Sequence, residues 1–130
     1  MFIYIFLFLL PLIMIGFGSQ FANKPPKKIN MTYGYRTTRS MKNTETWAFA
    51  HEHFGKTWRL VGVILTGINV VTLILLRVLP LKSGFEVAFY AVVALIGVQL
   101  VALIVSIFPT ERALKKNFDK DGNRIKEKKA

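Results

Sequence analysis

Three long apolar runs alternate with charged stretches along this chain of 130 residues. The first fills residues 1–22 and holds Pro11, Gly16, Gly18, Ser19 and Gln20 but no charged side chain. The second opens residues 60–80 with LVGVILTGINVVTLILL, and the third, FEVAFYAVVALIGVQLVALIVSIF, occupies residues 85–108. A helix rises about 1.5 Å per residue, so roughly 20 residues cross a hydrocarbon core of about 30 Å. Each run therefore predicts a transmembrane helix. Pro11 would break a helix in water but is tolerated with a kink in a span. Pro109 is expected to close the third span. The link near residues 81–84 is so short that the second and third spans must be antiparallel neighbours.

The connector, residues 23–59, has a different pattern. Pro25 and Pro26 stop the first helix, and Gly34 between two tyrosines suggests a turn with positive φ. In SMKNTETWAFAHEHFGKTW, Trp47, His51, Phe54 and Trp58 fall on one face at helical spacing, with Asn43 or Thr44 as N-cap and Glu45 in the first turn. That predicts an amphipathic helix lying in the membrane interface, with Gly55 at a bend before the second span. One helix continuous with that span is the alternative, and the pattern leaves both open. The tail, residues 109–130, predicts a short helix near residues 110–118 with Leu114 and Phe118 on one face, then an Asp-Gly turn in DKDGN. The fold class is all-α: a membrane protein with three transmembrane helices, a cytoplasmic interfacial amphipathic helix and a short C-terminal helix.

Charge sharpens this picture. The chain is 52% hydrophobic yet carries a net charge of +11. The connector holds eight Lys and Arg against Glu45 and Glu52, and the tail holds eight against four carboxylates. Three spans put these two basic segments on one side, which the positive-inside rule assigns to the cytoplasm, with the N-terminus outside. A cleavable signal peptide is disfavoured, because the first run lacks a basic leader and a good cleavage site. Topology explains the charge without a nucleic-acid partner. Anionic lipids of the inner leaflet are the expected partner, each Lys or Arg near the surface contributing about 1 kcal/mol. Arg36 and Arg39 have the fork geometry for phosphate oxygens.

Little chemistry is on offer. There is no cysteine. His51 and His53, two apart, point to different sides of a helix and do not form a zinc motif. The DKDGN stretch lacks the spacing of a calcium loop. No nucleophile has an adjacent base, so no catalytic, metal or cofactor site is expected and the chain reads as a non-enzyme. Inside the spans, Asn69 and Gln99 need partners and are expected to hydrogen-bond across helices, at roughly 1 kcal/mol each. Gly62, Gly67, Gly97 and Ala102 would permit close helix contact. Arg77, Lys82 and Glu86 cluster at the outer end.

The stretch NMTYGYRTTRSMKNTETWAFAHEHFGK closely resembles the signature of the SdpI family of bacterial membrane proteins. Asn30, Gly34, Tyr35, Arg36, Ser40, Asn43, Trp47, Ala50, Gly55 and Lys56 stand at the family's spacing. PTERALKKNFDKDGNR resembles its C-terminal signature, through Glu111, Leu114, Phe118 and Gly122. The resemblance implies a multi-pass bacterial cell-membrane protein that confers immunity to a secreted membrane-active peptide toxin met at the outer face. It also implies, as in the founding member, signalling by holding a cytoplasmic repressor at the membrane. That member has additional spans before the module, where this chain has one. A docking or structural subunit of a larger membrane complex is the alternative, with Arg36 and Trp47 as recruiting residues.

Overall fold

The computed structural model describes residues 2–30, 32–80 and 84–125. Four helices follow in order: α1 (Phe2–Asn23), α2 (Thr44–Val78), α3 (Gly84–Val105) and α4 (Ile107–Asn117). The described residues form no strand, only an isolated bridge between Phe118 and Arg124. Three helical stretches, with α3 and α4 counted together, are long and apolar enough to cross a membrane. The link at Leu81–Ser83, and with it Lys82, lies outside the described residues.

Of the two readings left open for the segment before the second span, α2 takes the continuous one. No separate interfacial helix exists: residues 44–58 and the second apolar run form one helix of 35 residues, about 52 Å long. Its limits have local causes. Asn43 accepts from the Thr46 N–H at 2.8 Å, while the Thr46 hydroxyl accepts from the Asn43 N–H at 3.1 Å, a reciprocal capping box. At the other end Leu79, extended at ψ 134, precedes Pro80, whose ring disfavours helix in the residue before it. No proline stands between Pro26 and Pro80, so nothing interrupts the helix.

Gly55 lies inside the unbroken α2 and marks where two helices touch. A Cβ on Gly55 would lie 2.5 Å from the Gly18 carbonyl oxygen, and one on Gly18 would lie 2.7 Å from the Gly55 carbonyl oxygen. Further along, a Cβ on Gly62 would meet the Pro11 carbonyl oxygen at 2.8 Å. α1 and α2 thus run antiparallel with backbones in contact, the small-residue packing that holds helices together in lipid, where apolar burial gives no net drive. Leu7, Pro11, Met14, Gly18 and Phe21 are all buried and repeat at three- and four-residue spacing, one stripe of α1. Gly67 and Gly97 have nothing near them, so they take no part in this packing.

α3 buries only Val92 and Gln99 and leans on its neighbours along a narrow seam. Pro109 does not end the third helix. The chain turns at Ser106 and continues as α4, with Pro109 in its first turn, where a missing N–H is tolerated. The spans meet at one buried polar node. Asn69 Nδ2 donates to the Leu7 carbonyl oxygen at 2.9 Å, and Gln99 Nε2 donates to the same oxygen and to Asn69 Oδ1, both at 3.1 Å. The reason is Pro11: lacking an N–H, it leaves the carbonyl four residues earlier without its helical donor. Two amides from two other helices supply it.

Candidate functional site at the basic end of the bundle

Connector, first half of α2, α4 and tail condense into one headpiece. Its centre is an aromatic cluster in which Phe21, Tyr35, Ala50, Phe54, Leu114 and Phe118 are buried. The connector enters it by short, local steps. Asn30 Oδ1 accepts from the N–H groups of Thr32 and Tyr33 at 2.9 Å each, closing a turn with its own side chain. Gly34 follows at φ +115, a conformation open to glycine and strained for other residues. A Cβ there would also sit 2.5 Å from His51 Nε2.

That close approach has a purpose. The Tyr35 N–H donates to His51 Nε2 at 2.9 Å, and His51 Nδ1 lies 2.8 Å from the Trp47 carbonyl oxygen. A donor faces one ring nitrogen and an acceptor the other, so these bonds select the neutral imidazole with its proton on Nδ1. His51 is fully buried and acts as a clasp between connector and helix. The indole of Trp47 does similar work: Nε1 donates to the Pro26 carbonyl oxygen at 2.7 Å. At 1% exposure Trp47 cannot be a recruiting residue; its role is to pin the connector.

Tyr35 ties the connector to α4. Its hydroxyl donates to Glu111 Oε1 at 2.7 Å, with the Ile107 carbonyl oxygen 3.3 Å away. Burial, then the Glu111 carboxylate, holds the Tyr35 phenol well above its ordinary range. The Ser40 hydroxyl donates to the Tyr35 carbonyl oxygen at 2.9 Å, and the Thr46 hydroxyl to the Ser40 carbonyl oxygen at 3.0 Å. The tail closes the headpiece. Asp119 Oδ1 accepts from the N–H groups of Asp121 and Asn123 at 2.9 Å each, and these bonds lower the Asp119 pKa. The turn presents the Gly122 carbonyl oxygen to Asn43 Nδ2 at 2.8 Å, and Arg124 pairs with Glu45 at 2.8 Å. Asn43 therefore caps α2 and anchors the tail together.

Eight of the expected motif residues are brought into this network: Asn30, Gly34, Tyr35, Ser40, Asn43, Trp47, Glu111 and Phe118. Gly55 belongs to the α1 contact. Lys56 stands outside, exposed and paired with Glu52 four residues away at 3.1 Å. Arg36 is exposed on the connector. The contacts of Leu7 and Gly18 are not foreshadowed in the sequence, while Trp58 lies on the apolar face that the helical spacing marks. Trp58 Nε1 donates to the Ser106 hydroxyl at 2.9 Å, joining α2 to the α3–α4 turn. Spacing does not announce the partners in these contacts, since a backbone carbonyl or a lone serine carries no pattern. Among the described residues, no group of three His, Cys, Asp or Glu is placed to hold a metal ion.

Apolar helices joined by a buried amide node, with a compact polar headpiece at one end, define a helical membrane protein. The comparisons with known proteins agree. A model of the SdpI/YfhL protein family matches residues 27–110, the connector, α2, α3 and the start of α4, and the chain belongs to that family. It is 32% identical over 80 residues to the uncharacterized protein YfhL of Bacillus subtilis (strain 168), covering 59% of this chain and 73% of the relative. No solved structure matches the chain. Helix α1 and the tail beyond residue 110 lie outside the family match, yet both are built into the headpiece.

Proposed function

We propose that this protein is an immunity protein of the bacterial cell membrane that protects against a secreted membrane-active peptide. Membership of the SdpI/YfhL family carries this reading. The N-terminus lies outside and the headpiece faces the cytoplasm, since the connector and tail carry most of the Lys and Arg. The peptide is met at the opposite end, where α1 begins and α2 and α3 meet. The shape of the headpiece supports a bracing role: most motif residues turn inward, so they fix the three spans relative to one another. The test is survival. Expression in a peptide-sensitive bacterium should raise the lethal dose of a cationic membrane peptide, and Gly34→Val should abolish that gain. Unchanged killing by a panel of such peptides removes the reading.

A docking reading rests on the exposed basic residues of the connector rather than on Trp47 or Tyr35. Arg36→Ala combined with Lys56→Ala should release a cytoplasmic partner such as a repressor while leaving insertion intact. Co-purification unaffected by that pair counts against it.

A further inference from the structure

A cleft of about 430 Å³ opens where α1, α2, the start of α4 and the connector meet, within the size range of small-molecule sites. Its two walls differ in kind. Ile13, Phe17 and Trp58 line one side from the helices, while Tyr33, Arg36 and Thr37 line the other from the connector. Among the described residues, no carboxylate lines it. Glu111, nearby in the headpiece, accepts the Tyr35 hydroxyl.

The cleft also spans two levels of a membrane. Ile13 lies ten residues before the end of α1, about 15 Å inside the apolar helix at 1.5 Å per residue. Arg36 lies on the connector, beyond the spans. Phe17 is 44% and Tyr33 47% exposed, so the cleft is open rather than sealed. An occupant that matches must be apolar below and anionic above.

We infer that this cleft binds one anionic phospholipid of the leaflet at the basic end. An acyl chain lies along Ile13, Phe17 and Trp58. The headgroup phosphate takes the Arg36 guanidinium, whose planar fork matches phosphate oxygens, and the hydroxyls of Tyr33 and Thr37. A zwitterionic headgroup would bring its own cation against that guanidinium, so Arg36, which lines the cleft, selects a net negative headgroup over a zwitterionic one. This site is independent of any immunity role, and the test below does not involve a toxin.

The full chain is reconstituted in nanodiscs of equal parts phosphatidylglycerol and phosphatidylcholine with identical chains, then released for native mass spectrometry. The expected result is one retained lipid, phosphatidylglycerol, at least five-fold enriched over phosphatidylcholine. Arg36→Gln should bring that ratio to one. Ile13→Trp, which fills the cleft from α1, should remove the retained lipid of both kinds. A second measurement needs no substitution: brominated phosphatidylglycerol should quench tryptophan emission more than brominated phosphatidylcholine at the same mole fraction, through Trp58. Lipids retained at the bulk ratio, no retained lipid, a preference that survives Arg36→Gln, or equal quenching by the two brominated lipids would each overturn the site.

Discussion

The amide node offers the most demanding test of the fold. If Pro11 orphans the Leu7 carbonyl and the amides of Asn69 and Gln99 satisfy it, then the three residues must be energetically coupled in a particular way. Either amide alone still serves the carbonyl, but each single variant also loses the bond between Gln99 Nε2 and Asn69 Oδ1, so Asn69→Leu or Gln99→Leu singly should cost about 1–2 kcal/mol, the scale of two interhelical bonds in lipid. The double variant loses those bonds and also strands a buried carbonyl, which adds about 1–3 kcal/mol. The pair should therefore cost roughly 3–5 kcal/mol in the parent chain. Pro11→Ala restores an N–H four residues after Leu7, so in that background the same pair should cost only about 1–2 kcal/mol. The assay is reversible unfolding in bicelles, followed for all corners of the cycle. If the pair cost the same within about 0.5 kcal/mol in the parent chain and in the Pro11→Ala background, the carbonyl would not be what the amides serve.

Other predictions concern the headpiece. Gly34→Ala places a Cβ against His51 Nε2 at φ +115 and should cost about 2–3 kcal/mol, seen as faster tryptic cleavage at Arg36 and Arg39. Tyr35→Phe removes a hydrogen bond to a carboxylate and should cost about 1–2 kcal/mol in a thermal melt, since the Glu111 partner is only half-buried. The Tyr35 phenol is held above its ordinary value of 10.0, so the folded chain keeps a proton that the unfolded chain releases. Stability should be whole below pH 10 and fall as pH rises beyond it, and Tyr35→Phe should flatten that fall. Gly55→Val should push α1 from α2 and cost about 1–3 kcal/mol, read as weakened crosslinking between cysteines placed on the two helices. Glu45→Gln should change the melt by less than about 1 kcal/mol, because its ion pair with Arg124 is half exposed.

The spans were legible because a run of about 20 uncharged apolar residues has few other uses. How they meet was not. Large apolar residues surround α1 on every side and its few polar residues crowd its last turns, so its buried stripe of Leu7, Pro11, Met14, Gly18 and Phe21 has no periodic contrast to betray it. Asn69 and Gln99 announced a need for partners, but the partner is a backbone atom made available by a proline on another helix, which no side-chain pattern encodes. Gly55 showed that something required a missing side chain, and a bend and a close contact require the same residue. Trp47 was ambiguous for a related reason: an aromatic on an amphipathic face suits an interface or a core, and only the position of the Pro26 carbonyl decides. The positive φ at Gly34 was legible from its place between two tyrosines, because turn chemistry is local.

The unbroken length of α2 sets how the two ends of the molecule can communicate. A rod of about 52 Å without proline, capped firmly by Asn43, has no joint at the membrane surface. A tilt imposed at Arg77 must arrive at Trp47 as a swing of the whole headpiece, like the far arm of a lever. Any signal crossing this protein would travel as rigid motion of one shaft, with α1 geared to it at the paired glycines.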